Sequence, residues 1–376
     1  MKRFLAIMLA LAMVFSLAAC GGGSDGNKGG ATKVEVFWYD ESDIYLSTVR
    51  EALNKELDTL GVDYHNQFAG NDQSKQIDQI KTAIAGGANL LVVNIVTSGA
   101  PDTAKDILDL AGDIPVIFFN RAIGTDGDDN KVLAEYANAA FIGTDAPEAG
   151  HMQGKMIGDY LVKNFDKVDV NKDGKISYAM MKGQEGNIEA IYRTQYSVED
   201  ANKILKDAGK AELMYFDQKV EEKARYQVDQ DGAWSAKAAK DYMATNFTSF
   251  NEANNNMIEL VICNNDGMAE GVIASLQENG YNKPNSEITV PVFGVDATEN
   301  AKAYIADGSM VGTVKQDAEG MAAAIAQTVK GIAGGATVEE ALAALKDERF
   351  SISKEAKTKL FVAYAPYTAA NAEKEK

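Results

Sequence analysis

The sequence predicts an α/β protein built of two doubly wound lobes. From Lys33 onward, short apolar runs of strand length alternate with amphipathic stretches of helical length, the pattern of a parallel sheet covered on both faces. After an intervening segment the alternation begins again, so two sheets are expected. The chain has 376 residues, too many for one ordinary core. Its 46% hydrophobic and 24% charged residues, with only 6 Pro, exclude a disordered chain.

The elements can be justified in order. Lys2 and Arg3 precede an apolar and small-residue run over 4–19, which is too short to span a bilayer comfortably and reads as a signal peptide (residues 1–19). The run ends Leu17-Ala18-Ala19-Cys20, a lipobox-like ending. Acylation of Cys20 is therefore expected, and with it a lipid anchor to the extracytoplasmic face of the cell membrane. Residues 20–32 form a polar Gly-rich tether. Within it, Gly22-Gly23-Ser24-Asp25-Gly26 matches the spacing of a nucleophile elbow, but a linker gives that motif no strand or helix to stand on. Strands are expected over 34–39, 62–68, 90–96 and 115–119, with helices around 45–60, 73–86 and 101–112. A second series of strands is expected over 141–143, 176–181, 213–216, 258–263 and 290–295.

Composition then narrows the chemistry. With 55 acidic against 37 basic residues the net charge is −18, which disfavours a nucleic-acid surface. Two His and two Cys leave too few soft ligands for a zinc cluster. Once Cys20 is acylated, Cys263 is the remaining thiol, so no internal disulfide is expected; Leu260, Val261 and Ile262 beside it suggest a buried apolar role. The folded part contains no Walker A motif and no G-x-G-x-x-G.

In open α/β sheets ligands sit beyond the carboxyl ends of the strands. Those positions hold Asp43 and Tyr45, Asn94, Asn120-Arg121, Asn264-Asn265-Asp266, Asp296 and Gln316-Asp317. Planar amides and carboxylates each bond two adjacent hydroxyls, while Tyr45 and Trp234 offer flat apolar faces. Together they suit a polyhydroxylated ring. Asx residues at strand ends also cap the next helix, and capping is the expected main task of Asn71, Asp266 and Asp317.

A further motif lies at Asp169-Val170-Asn171-Lys172-Asp173-Gly174-Lys175-Ile176-Ser177. It has oxygen side chains at positions one, three and five of an EF-hand-type loop, with the turn-making Gly174 at six. Position twelve is Met180, so a carboxylate must arrive from elsewhere if calcium is to bind.

These residues carry a family resemblance over nearly all of the chain beyond the tether. Asn71-Asp72-Gln73-Ser74-Lys75-Gln76, Phe118-Phe119-Asn120, Gly143-Thr144-Asp145, Asn171-Lys172-Asp173-Gly174, Asn264-Asn265-Asp266 and Val292-Phe293-Gly294-Val295-Asp296-Ala297 resemble the galactose/glucose-binding members of the type I periplasmic binding proteins. The resemblance implies two Rossmann-like lobes joined by a three-crossing hinge and no enzymatic activity. It implies a monomer that captures a hexose, D-galactose or D-glucose, for an ABC transporter permease. A sugar sensor presenting its ligand to a membrane chemoreceptor or sensor kinase, and ribose or inositol as ligand, stand as alternatives.

By the same resemblance the pyranose lies between Tyr45 and Trp234, with Asp43, Asn94, Arg193, Asn265 and Asp296 bonding its hydroxyls and ring oxygen. Four positions depart from the family: Tyr45 for Phe, Asn187 for His, Glu189 for Asp and Gln316 for Asn. The implied structural calcium ion has as ligands Asp169, Asn171, Asp173, the Lys175 carbonyl, Ser177 (Gln in the family) and the distant Glu259. The three crossings are expected near 113–115, 296–316 and 354–358. That divides the chain into an N-terminal lobe of residues 33–113 and 317–355 and a C-terminal lobe of residues 114–316 and 356–376.

Overall fold

The computed structural model describes residues 32–125 and 127–373. The signal segment, Cys20 and the tether up to Ala31 lie outside the described residues. The strands in chain order are β1 (Lys33–Trp38), β2 (Asp63–Phe68), β3 (Leu90–Val93), β4 (Val116–Phe119), β5 (Ala139–Gly143), β6 (Ser177–Lys182), β7 (Met214–Tyr215), β8 (Gln227–Val228), β9 (Leu260–Cys263), β10 (Val292–Asp296), β11 (Gly312–Gln316), β12 (Phe350–Ile352), β13 (Lys359–Val362) and β14 (Tyr364–Thr368). The helices are α1 (Ile44–Leu60), α2 (Gln73–Ala85), α3 (Pro101–Ala111), α4 (Asp128–Glu135), α5 (Ala146–Val168), α6 (Ile188–Asp207), α7 (Ala236–Phe247), α8 (Asp266–Glu278), α9 (Glu299–Asp307), α10 (Ala318–Ala333), α11 (Val338–Ala343) and α12 (Ala369–Ala372).

They form the two sheets expected. The first runs β12-β13-β5-β4-β3-β1-β2 and the second β14-β11-β10-β9-β6-β7, with β8 also on β6. Pairing is parallel except where β12 meets β13 and β14 meets β11. Central strands such as Leu90–Val93 and Val116–Phe119 are buried at every position, because helices cover both faces. The edge strand β2 reads Asp-Tyr-His-Asn-Gln-Phe and is partly exposed throughout, which blunts the open edge. Local signals agree with the helix ends: Asp43 accepts from the Leu46 amide to cap α1, and Gly61 closes it at φ 66°.

The hinge sits elsewhere than the sequence suggests. β4 and β5 continue the first sheet, with Leu91 in register with Val116 and Val116 with Ala139, so the chain does not leave the first lobe near 113–115. It leaves at residues 144–145, between β5 and α5. The second crossing is at Asp317 between β11 and α10, one residue past the expected range. The third, expected near 354–358, falls at Ala363 between β13 and β14. The lobes are therefore 32–143 with 318–362, and 146–316 with 364–373. Gly112, at φ 59°, and Pro115 give the α3–β4 turn the composition of a linker without its role.

Candidate functional site

A cavity lies between the lobes at the carboxyl ends of both sheets. The first lobe contributes Tyr39, Asp43, Tyr45, Asn120 and Arg121; the second contributes Asn187, Glu189, Arg193, Trp234, Asn265, Asp296 and Gln316. Nine of the ten residues expected to meet a sugar thus surround a single space. The exception is Asn94. Its side chain accepts from the Tyr39 amide at 3.3 Å and donates to the Phe119 carbonyl at 3.0 Å and to Asn120 Oδ1 at 3.3 Å. Fully buried and hydrogen-bonded on both sides, it ties three strand ends together behind the cavity. Tyr39, Asn120 and Arg121 line the space in its place, and the position of Asn120-Arg121 just after a strand is the signal that finds them.

Several lining residues both cap a helix and face the cavity. Asp43, Asn187 and Asn265 each give one oxygen to a first-turn amide of α1, α6 or α8. The positive ends of those three helices therefore converge on the cavity. Capping and ligand reading are one arrangement here. Of the residues expected mainly to cap, Asp317 does so for α10 through the Gly320 amide. Asp266 does not: it stands inside the first turn of α8 and accepts from Thr313 Oγ1 at 2.7 Å and the Thr298 amide at 2.9 Å. Nor does Asn71; Asp72 caps α2, and Asn71 Nδ2 donates across the cleft to the Asp231 carbonyl at 2.9 Å.

The backbone is strained around the cavity. Asn120, Trp234, Asp296 and Ala297 have φ of 61°, 56°, 128° and 61°, the left-handed side that L-residues avoid at a cost of about 1–3 kcal/mol each. Such strain persists only where the surrounding structure enforces it. Gly183 belongs to the same design, since a Cβ there would overlap the Trp234 ring. Asn265 Nδ2 then holds the Trp234 carbonyl at 3.3 Å.

The electrostatics are those of a buried site. Arg193 donates to the Asn264 carbonyl at 2.9 Å, Gln316 Oε1 at 3.1 Å and the Tyr364 hydroxyl at 3.2 Å. Burial opposes its charge, but Tyr364, Asp296 and Glu189 outweigh that and raise its pKa. Burial also raises the carboxyl pKa values of Asp43, Glu189 and, most strongly, Asp296, with Arg193 pulling the last two back. Four buried polar atoms of lining side chains have no hydrogen-bond partner: Arg121 Nε, Arg193 Nε, Glu189 Oε2 and Gln316 Nε2. Leaving each unpaired costs about 1–3 kcal/mol. Three donors and one acceptor, with aromatic walls, fit a small molecule whose hydroxyls both give and accept.

The acidic loop is arranged otherwise. Asp169 accepts from the amides of Asp173 and Gly174, and Gly174 turns the chain at φ 77°. Glu259 does reach the loop, accepting from the Asn171 amide at 2.8 Å and the Ser177 amide at 2.9 Å. Asn171, however, bonds the Met257 backbone with both ends of its side chain, and Ser177 Oγ donates to the Met257 carbonyl. Among the described residues no three His, Cys, Asp or Glu side chains are grouped to hold an ion. The donor types suit a hard cation, but as arranged two of the six expected ligands point elsewhere.

Two hinged lobes closing on a polar, aromatic-walled cavity define a receptor for a small solute. The chain belongs to the periplasmic binding protein family: the family model described as "Periplasmic binding protein domain" matches residues 34–337. It is 31% identical over 310 residues to the D-galactose/methyl-galactoside binding periplasmic protein MglB of Haemophilus influenzae, covering 82% of each chain. Identity to the multiple sugar-binding periplasmic protein SbpA of Azospirillum brasilense is 26% over 316 residues, covering 81% of this chain and 76% of that one. These relatives are binding proteins, not enzymes. Among solved structures, an ABC transporter solute binding protein from Bacillus halodurans with bound myo-inositol superposes with a TM-score of 0.67 at 21% identity, covering 93% of this chain and 99% of that one. One from Clostridium phytofermentans with bound β-D-glucose gives 0.66 at 20% identity, covering 92% and 96%. The type I periplasmic binding protein fold is thereby established.

Proposed function

We propose that this chain captures a monosaccharide by lobe closure and delivers it to the permease of an ABC transporter, with D-galactose or D-glucose as ligand. The observation that carries this is the cavity itself, closed by both lobes and lined with polar atoms that await partners. The Haemophilus relative's name supports a hexose. Glu189, Asn187 and Gln316 keep hydrogen-bonding character while altering reach, so the choice among epimers rests on them. Thermal shift against galactose, glucose, ribose and myo-inositol tests the reading: a ligand at 100 times its Kd adds about 2.7 kcal/mol of stability. A shift with ribose or inositol and none with hexoses replaces the hexose assignment; no shift with any of them overturns sugar capture. A membrane chemoreceptor as second partner is testable by capture of the sugar-loaded protein on membranes containing it.

The anchored location rests on Leu17-Ala18-Ala19-Cys20, and mass analysis of the mature N-terminus for an acylated Cys20 tests it. Calcium at the acidic loop rests on the spacing from Asp169 to Ser177 and on Glu259 reaching it. Binding there requires Asn171 and Ser177 to exchange Met257 for the ion. Terbium luminescence competed by calcium tests this, and its absence at millimolar ion overturns it.

A further inference from the structure

We propose that Arg121 is the latch of the closed state, reading the ligand with a buried donor, its Nε–H, that the latch does not use; the inference rests on the sugar-binding reading and deepens it. Arg121 follows β4 in the first lobe, and Gln184 follows β6 in the second. Arg121 Nη2 donates to Gln184 Oε1 at 2.6 Å and to the Val96 carbonyl of its own lobe at 2.7 Å. Its guanidinium lies 4.1 Å from the Tyr39 ring centroid, which fixes the plane of the fork. The side chain is 4% exposed and lines the cavity, whereas Gln184 does not line it. One side chain therefore spans the cleft and borders the ligand space at once.

The buried donor beside the fork gives this position a function. Arg121 Nε is buried without a partner. In the open form, separation of β4 from β6 releases Gln184 and lets water reach the guanidinium. In the closed, empty form the bond to Gln184 is made while the Nε–H stays dry and unpaired, which opposes closure. A ligand oxygen at Nε removes that opposition, so occupancy and closure are linked through one residue. Gln184 Oε1 also receives Asn187 Nδ2 at 3.3 Å, so the acceptor that holds the latch is braced from the cavity wall of its own lobe.

The test uses the chain without its signal segment, with D-galactose first and the other sugars of the panel where galactose does not bind. Stopped-flow Trp fluorescence gives the rates, and small-angle X-ray scattering gives lobe opening. Gln184→Ala is expected to speed dissociation on the order of tenfold, with association within about twofold, since the effect lies in holding the closed form. Gln184→Glu keeps an acceptor for Arg121 and is expected to restore slow dissociation, which a purely structural role for the side chain would not require. Arg121→Lys keeps the charge but loses Nε–H and the fork, and is expected to weaken affinity on the order of tenfold or more. Dissociation rates equal to the parent's in Gln184→Ala, or equal loss in Gln184→Glu, overturn the latch. Unchanged affinity in Arg121→Lys overturns ligand reading by Arg121. Should no sugar bind the parent, sugar capture fails and ligand reading fails with it. Scattering without ligand then decides the latch: Gln184→Ala must have a larger radius of gyration than the parent, and equal radii overturn it.

Discussion

The cavity and the acidic loop were both legible as clusters of oxygen-bearing side chains, yet they are in opposite states. In the loop, Asp169, Glu259, Asn171 and Ser177 are bonded to backbone groups of their own lobe. Around the cavity, Arg121, Arg193, Glu189 and Gln316 each keep a buried polar atom in reserve. A self-satisfied cluster stabilises the fold; an unsatisfied one stabilises whatever completes it. The difference separates two kinds of polar site that residue type alone makes look alike.

The comparison is broken most directly by removing a cavity group that nothing else replaces. Arg193→Ala should cost about 3 kcal/mol or more of sugar binding, on the order of a hundredfold in Kd by calorimetry. Affinity within twofold of the parent would show that the cavity is not the site. Gly183→Ala should displace Trp234 and weaken binding on the order of tenfold, seen also as a changed Trp emission. pH sharpens the picture. Burial raises Asp266 to about 7 from 3.8, so the folded state holds that proton more tightly than the unfolded chain. The contribution of Asp266 to ligand-free stability should thus be fullest below about pH 4 and be lost as pH rises through about 7, and Asp266→Asn should remove that slope in denaturant titrations. The smallest effect belongs to the loop: Glu259→Gln should lower stability by about 1–2 kcal/mol with the sugar Kd unchanged.

Much of the fold lay in the sequence because parallel strands buried on both faces are continuous apolar runs. Leu90–Val93, Val116–Phe119 and Leu260–Cys263 carry that signal plainly. The hinge was misplaced because lobe membership is decided by pairing between distant strands, and no local composition marks the passage at residues 144–145. β12, β13 and β14 were missed for a related reason: Phe350–Ile352 is an edge strand with exposed positions, Lys359–Val362 is short and partly exposed at alternate positions, and Tyr364–Thr368 contains Pro366. At the site, Asn94 looked like Asn265 in sequence. Whether an amide is consumed behind the wall or left on it depends on neighbours 25 residues away, such as the carbonyl of Phe119.

The last strands carry one more consequence. β13 joins the first sheet beside β5, α10 covers the core built on Val36, Val92 and Ile117, and β14 closes the second sheet beside β11. As the chain is synthesised, the first lobe reaches residue 143 with one edge unpaired and one face covered only in part, by α1, and it stays so until the final sixth of the sequence emerges. Neither lobe can be finished ahead of the other. Folding is then a late, concerted event, and a chain cut before Tyr364 loses an edge from the second sheet as well as its third link to the first lobe.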